Sequence, residues 1–311
     1  MENKLIVSYA PHVRCDRPMP VLMRDVLIAL IPALLVSIFA FGINALLLSA
    51  VCVLSAVLFE YIWCRLTKKE STVSDCSAAI TGLLLAFNMP ASAPLWMGIV
   101  GAAFAIIIVK CFCGGLGHNF VNPALAARAF LLSCYPVAMT TWTNPLKGNL
   151  FGTAAVSSAT PLVAEKGVYS YLDLFLGSCP GCIGEISAAA LLIGLVYLLY
   201  RKVITWHIPV IYIATVFVLS YALGQDGAYQ ILSGGLMLGA IFMATDYTTS
   251  PMTVKGQIIY ALLLGVLTVV IRTFGNLPEG VSYSILVMNV VTPLIDKFTK
   301  NKKYGGAKQN G

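Results

Sequence analysis

The sequence predicts an all-α integral membrane protein of about ten transmembrane helices, some of them broken or half-crossing. Of the 311 residues, 59% are hydrophobic and only 11% are charged, and the mean hydropathy is +0.85. Soluble domains carry roughly 25% charged residues, because a water-facing surface needs them. The apolar runs continue through the chain without a polar linker, which favours a single membrane domain.

Ten apolar runs approach the roughly 20 residues that a helix needs to cross a bilayer. They are 25–42, 44–64, 77–90, 95–112, 123–139, 184–200, 207–224, 231–245, 255–272 and 281–296. Several runs are short, and two follow stretches rich in Gly, Asn or Pro, which is typical of helices that break where the backbone lines a cavity. We therefore expect an N-terminal arm at 1–24, one polytopic domain at 25–298 and a basic tail at 299–311.

The distribution of Lys and Arg predicts that both termini lie in the cytoplasm. With ten crossings that start inside, all but three of the 20 basic residues lie in or beside cytoplasmic segments. The exceptions are Lys147, Lys166 and Arg272, whereas Lys110 and Arg128 count as cytoplasmic in this assignment. The net charge of +7 is thus explained by topogenic clusters, and nucleic acid is not expected as a partner.

The order of Gly, Pro and apolar helices after Gly82 is similar to the order after Gly239. Five spans in each half would give the halves opposite orientations, as in many transporters. We predict two inverted five-helix repeats at 25–139 and 184–298, joined by an extracytoplasmic segment at 140–183. The alternative is that Gly and Pro recur by chance between apolar helices.

A small, hydroxyl-rich stretch, Ser157–Leu162 (SSATPL), lies in the predicted extracytoplasmic segment. Pro161 biases Thr160 away from helix. We expect an exposed hydroxyl there, accessible to a modifying enzyme, although the motif alone also fits an ordinary Ser/Thr loop.

A second motif, Gly114–Ala124 (GGLGHNFVNPA), combines three glycines with a well-specified helix start. Asn122 is placed as the N-cap and Pro123 as the first helical residue. Glycines permit close backbone approach, and the unpaired N–H groups of a helix start favour an electron-rich ligand. The alternative is a re-entrant turn without a ligand.

Three acidic or hydroxyl residues are candidates for an ion path. Asp246 and Thr248 lie in Met243–Pro251 (MATDYTTSP), at the end of a short apolar run. An ionisable residue at membrane depth is a functional candidate, whereas the same residue at the interface is a solvated helix end. Glu60, inside the second run, is either a further ion-path candidate or a side chain that snorkels to the cytoplasmic interface.

The cysteines and histidines do not predict a metal site. Cys111 and Cys113 could supply half of an iron–sulfur cluster, but no second pair lies on that side. Cys179 and Cys182 have the C-x-x-C spacing of redox motifs, and a disulfide or two idle thiols is favoured over a redox role. The three histidines are too few and too dispersed.

Four motifs spread along the chain resemble the RnfD/NqrB family, whose members are the D-type component of Rnf complexes and the B-type component of the Na⁺-translocating NADH:quinone reductase. They are GGLGHNFVNPALAARAFL, SSATPL, MATDYTTSP and IRTFGNLPEGVSYSILVMN. The resemblance covers nearly the whole chain, and the short N-terminal arm is more similar to the Rnf member. It implies a multi-pass protein of the bacterial inner membrane, other membrane and peripheral subunits as partners, and Na⁺ or H⁺ as the transported ion.

The resemblance also implies two flavins. An FMN would be joined by a phosphoester to Thr160, within a motif that includes Ser157 and Ala159, by a flavin transferase. We infer in addition that Arg272 pairs with the FMN phosphate, because Arg suits bidentate phosphate contacts.

The second flavin that the resemblance implies is non-covalent, with riboflavin as the expected species, near the turn that contains Asn119 and Asn122. Gly115 and Gly117 belong to the same turn.

Two functions from different classes follow. The first is a redox subunit that passes electrons through flavins, while other subunits bind the soluble electron donors, because this chain has neither a ferredoxin-type cysteine run nor a nucleotide fold. The second is a non-redox secondary transporter or channel, which inverted repeats and broken helices also suit.

Overall fold

The computed structural model describes residues 18–68, 72–145, 157–158, 160–162, 169–275 and 280–299, with the backbone alone at 157–158. The first 17 residues, the tail from residue 300, Lys147, Ala159 and Lys166 lie outside this part of the chain, as does the side chain of Ser157.

Helices make up most of the described chain. They are α1 (Met19–Phe41), α2 (Ile43–Leu66), α3 (Ser77–Phe87), α4 (Leu95–Ala103), α5 (Pro123–Cys134), α6 (Pro136–Met139), α7 (Tyr171–Leu176), α8 (Ala188–Tyr200), α9 (His207–Ala222), α10 (Gly227–Leu232), α11 (Leu236–Leu238), α12 (Val254–Phe274) and α13 (Val281–Thr299). A first π-helix, Phe104–Cys111, continues α4, and a second, Gly239–Met243, continues α11. A short 3₁₀ helix spans Val73–Asp75.

Each of the ten apolar runs contains a helix in the structure. Four helices, α1, α2, α12 and α13, are long and apolar enough to cross a membrane, and the shorter apolar ones include α3, α5, α8 and α9. The prediction of a mainly helical, multi-pass membrane protein is therefore confirmed.

The start of α5 follows the sequence prediction in detail. The Asn122 side chain accepts hydrogen bonds from the backbone N–H groups of Ala124 (3.0 Å) and Leu125 (3.3 Å). Pro123 is the first helical residue, where its missing N–H costs nothing.

Irregular backbone meets at the end of α3. The N–H groups of Ile183 and Gly184 donate to the carbonyls of Met89 and Phe87, each at 3.0 Å. Since α3 has only 11 residues, these bonds satisfy backbone groups that its early end leaves without helical partners. Elsewhere, strands β1 (Trp142–Thr143) and β2 (Ser157–Ser158) pair antiparallel.

Close helix packing depends on small residues, as is usual in membrane proteins. A Cβ on Gly194 in α8 would lie 2.5 Å from the Ala29 carbonyl oxygen of α1. A Cβ on Gly98 in α4 would lie 2.7 Å from the sulfur of Cys52, which is fully buried in α2. The scattered cysteine at position 52 is therefore a packing residue, as the sequence predicts.

Candidate functional site

The larger of the two described cavities relevant to function is a cleft that we call the Lys110 cleft. It encloses about 760 Å³ of space outside the protein atoms, its open mouth included. Its polar lining is formed by Ser77, Thr81, Lys110, Asn119, Asn122, Thr245, Asp246 and Thr248, and its apolar lining includes Leu84, Leu198, Ile241 and Phe242. Both π-helices line it, and π-helical turns occur often at functional sites.

A buried ion pair lies in the wall of this cleft. Lys110 Nζ donates to Glu60 Oε1 at 2.6 Å and to Ser77 Oγ at 2.6 Å, and the Thr72 hydroxyl donates to the same Glu60 oxygen at 2.7 Å. Both charged side chains are 2% exposed. The alternative that Glu60 snorkels to an interface is therefore wrong, because a side chain of α3 and a lysine of the first π-helix enclose its carboxylate.

The predicted second-flavin turn reaches the cleft through its asparagines. Asn119 is buried, and its Oδ1 has no hydrogen-bond partner among the described residues. Asn122 lines the cleft while its Oδ1 caps α5. Gly115 and Gly117 do not line the cleft; each has a positive φ, +96° and +93°, which turns the chain toward it.

Asp246 and Thr248 line the Lys110 cleft just beyond the end of the second π-helix. The carboxylate of Asp246 accepts hydrogen bonds from the hydroxyls of Thr248 (3.0 Å) and Thr249 (3.4 Å). Burial raises the pKa of this carboxyl above its ordinary value, and the threonine hydrogen bonds offset part of the rise. The structure thus brings together Asn119, Asn122, Asp246 and Thr248, with Glu60 one side chain behind.

The second cavity, the Thr160 pocket, measures about 310 Å³ on the same basis. It is lined by Thr160, Pro161, Leu162, Cys179, Pro180, Gly181, Glu185, Ile186, Leu232, Ser233 and Gly234. Thr160 is only 5% exposed, and its Oγ1 is buried without a hydrogen-bond partner in the described part of the chain. The prediction of an exposed hydroxyl at this position is therefore wrong: the segment folds against the backbone before α8 and after α10, which covers it.

Arg272 lies behind the wall of the Thr160 pocket. Its Nη1 donates to the Gln230 carbonyl (2.7 Å), and its Nη2 donates to the carbonyls of Ser233 (3.1 Å) and Gly234 (3.0 Å). The expectation that partners hold this arginine is confirmed, and they are carbonyls that α10 leaves open where it ends. Its Nε is buried and has no partner among the residues described here.

Two buried cations were missed as site residues by sequence reasoning. Lys110 is 1% exposed and Arg128 is 5% exposed, so their assignment as surface topogenic charges is wrong. Arg128 donates to Asn88 Oδ1 (3.0 Å) and Ser282 Oγ (2.9 Å), joining α5 to the end of α3 and the start of α13. The available signal was a basic residue that interrupts or directly ends an apolar run, which at membrane depth marks a candidate functional residue.

The two cysteine pairs differ in their surroundings. Cys179 and Cys182 are free, buried thiols rather than a disulfide. Cys111 is buried and Cys113 partly exposed near the end of the first π-helix. Within the described ranges, no three His, Cys, Asp or Glu residues are grouped so that they could hold a metal ion.

We expect a thiol-alkylating maleimide at about pH 8 to modify the exposed Cys134 in the folded chain while leaving Cys179 and Cys182 untouched. Burial raises the pKa of Cys179 to about 12 and that of Cys182 well above its ordinary value, so the reactive thiolate is scarce at both. Peptide mass mapping after labelling measures this, and the denatured chain, in which all three should react, is the control. Equal labelling of Cys179 and Cys134 in the folded chain would contradict the buried placement.

These features define a class: a multi-pass membrane protein with two separate cavities, each lined by a buried polar oxygen that lacks a partner in the described chain. The NQR2, RnfD, RnfE family matches residues 6–305, and the chain belongs to this family.

Relatives of the chain have been named as D-type components of ion-translocating complexes. It is 52% identical to that component of the Na⁺-translocating ferredoxin:NAD⁺ oxidoreductase complex of Acetobacterium woodii, over 99% of this chain and 97% of that protein. It is 45% identical to that of the proton-translocating ferredoxin:NAD⁺ oxidoreductase complex of Clostridium ljungdahlii, over 98% and 97%. It is 35% identical to that of the ion-translocating oxidoreductase complex of Halorhodospira halophila, over 95% and 94%.

Proposed function

We propose that the chain is the D-type membrane component of an Rnf-type complex and passes electrons through two flavins, as part of ferredoxin:NAD⁺ oxidoreduction coupled to Na⁺ or H⁺ translocation. Family membership and the names of the relatives support the complex and its overall reaction. The other subunits of that complex would be its partners, and only part of the reaction would occur in this chain.

The observation that supports flavins most directly is a pair of buried oxygens, Thr160 Oγ1 and Asn119 Oδ1, at the two predicted flavin sites. A buried polar atom without a hydrogen bond costs roughly 1–3 kcal/mol, so both positions suit a bound group that supplies the missing contact. Bound flavins would supply one-electron and two-electron transfer, which side chains do not.

The residues around each oxygen would bind and shield its group. Thr160 Oγ1 would be the ester oxygen of covalent FMN, and the unpartnered Arg272 Nε lies behind the same pocket. Because this hydroxyl is 5% exposed, a flavin transferase would act before the segment packs against its neighbours. In the Lys110 cleft, Asn119 and Ser77 offer hydrogen bonds while Leu84 and Phe242 exclude water.

The two cavities lie at opposite ends of α8. Ile186, directly before this helix, lines the Thr160 pocket, and Leu198, near its end, lines the Lys110 cleft. At 1.5 Å per residue, the helical part between them spans about 15 Å. We therefore place the covalent FMN outside and the second flavin toward the cytoplasm, with both termini cytoplasmic.

The pattern of helix packing supports two inverted five-helix repeats. In the first half, α2 packs on α3 and on α4, and α5 packs on the π-helix that continues α4; in the second, α9 packs on the second π-helix and on α12, and α13 packs on α12. Across the halves, the two first helices, α1 and α8, pack together, as do the two last, α5 and α13. This is the pairing that a two-fold axis between equivalent halves would generate.

Asp246, Thr248 and Glu60 remain our candidates for an ion path. Asp246 and Thr248 present oxygen atoms to the Lys110 cleft, and oxygen is the ligand that hard cations prefer. Glu60 Oε2 is buried without a partner among described atoms, so a proton or a cation there would satisfy it.

In-gel flavin fluorescence tests the proposed covalent attachment. The denatured chain, made in cells that contain the flavin transferase, should fluoresce, and Thr160→Ala should abolish the signal because the acceptor oxygen is gone. Thr140→Ala removes an exposed hydroxyl and should keep full fluorescence. A dark wild-type chain would overturn the covalent FMN and favour a non-redox transporter or channel.

A further inference from the structure

Lys110 is a buried lysine whose position the proposed electron path does not yet use. Its side chain is 2% exposed, lines the Lys110 cleft, and is fixed by two contacts of 2.6 Å, to Glu60 Oε1 and Ser77 Oγ. A lysine ammonium has three N–H donors. Two are used by these partners, so one donor remains for a group in the cleft.

The ion pair is oriented, with its positive end toward the cleft. Lys110 is among the residues that line the cavity, whereas Glu60 is not and lies behind the lysine in α2. A charge acts more strongly at short distance, and the low dielectric of a buried site increases the effect. A ligand in the cleft therefore experiences the lysine more than its counter-ion.

Asp246 is the other residue of charged type among the described cleft-lining positions. Burial raises the pKa of this carboxyl, which favours its neutral form. The electrostatic potential that the described wall presents to a ligand is accordingly dominated by Lys110.

We propose that the Lys110 ammonium contacts the non-covalent flavin in the cleft and favours its reduced, more electron-rich form, with Glu60 as the positioning residue that holds Lys110 toward the cleft. This inference rests on the proposed function, because it needs a flavin at this place. Electrons come from the low-potential donors of the complex, or from an electrode in the test. No bond to Lys110 forms or breaks, and its proton stays on the ammonium.

The test uses the full chain, purified in detergent, with Thr160→Ala present throughout so that covalent FMN does not contribute. Acid-releasable flavin per chain is counted, and its midpoint potential is measured by spectroelectrochemistry. We expect Lys110→Met to weaken the preference for reduced flavin at least tenfold, which lowers a two-electron potential by about 30 mV. Lys110→Arg should restore most of the shift, and the exposed Lys255→Met should cause none.

A second variant covers the case in which Lys110→Met does not fold, since it leaves the Glu60 carboxylate buried alone. The double variant Glu60→Gln with Lys110→Met leaves no isolated charge, and we expect the same lowered potential or loss of the flavin from a chain that still elutes as folded. Bound flavin at an unchanged potential in the folded double variant would overturn the role of Lys110 alone. A chain with native Lys110 that releases no flavin would overturn the second flavin itself, and this inference with it.

Discussion

Gly184→Ala is expected to destabilise the membrane domain by about 3 kcal/mol, at the upper end of the usual cost of overpacking. A Cβ at residue 184 would lie 2.3 Å from both Cβ and Cγ of Phe87, and Phe87 is fully buried. Neither atom is the flexible end of a side chain, so relief requires the backbone to move. That movement would break the hydrogen bonds from Ile183 and Gly184 that tie this segment to the end of α3. Thermal unfolding in detergent, followed by size-exclusion chromatography, measures the effect.

Gly181→Ala is the matched control in the same segment. A Cβ at residue 181 would first meet Glu185 Oε1, at 3.3 Å, which is the end of a flexible side chain. We expect a change within about 0.5 kcal/mol, as for ordinary surface substitutions. Similar melting temperatures for the two variants would show that the segment around Gly184 does not pack against α3 as described.

Arg128→Met is expected to cost about 3 kcal/mol, since hydrogen bonds of charged groups contribute roughly 1.5 kcal/mol or more each. The methionine fills a similar space but leaves Asn88 Oδ1 and Ser282 Oγ without their donor. These contacts join α13 to α5 and to the end of α3, so their loss should loosen the junction of the two halves. Thermal unfolding is again the measurement, with limited proteolysis as a second readout.

Two further variants give the Arg128 result its meaning. Arg128→Lys keeps the charge but loses the forked geometry, so its stability should fall between the wild type and Arg128→Met. Arg65→Met removes an exposed arginine in α2 and should have little effect. If Arg128→Met and Arg65→Met melted alike, the buried hub would not contribute to stability.

The helices were predictable from sequence because the bilayer demands long apolar runs, and each predicted run contains a helix. The start of α5 was predictable for a local reason: Asn before Pro satisfies the helix N-terminus without help from the rest of the fold. The asparagines of that turn also proved to face a cavity, as a ligand site requires.

The buried charges were not predictable in the same way. A lysine at the end of an apolar run has the same sequence pattern whether it snorkels to water or turns inward, and only the position of Glu60 in another helix decides. The burial of Thr160 depends likewise on segments more than ten residues away in the chain, including Ile186 and Gly234. Such long-range contacts leave no local periodicity to read.

The central claim is that Thr160 bears a covalent FMN, and the most direct measurement is the mass of the proteolytic peptide that contains it. The chain should be produced in cells with an active flavin transferase, and fragmentation should locate any added mass. We predict a peptide heavier by one FMN less one water, with the addition on Thr160 and absent from Thr160→Ala. An unmodified Thr160 peptide from a chain assembled in its complex would contradict the account.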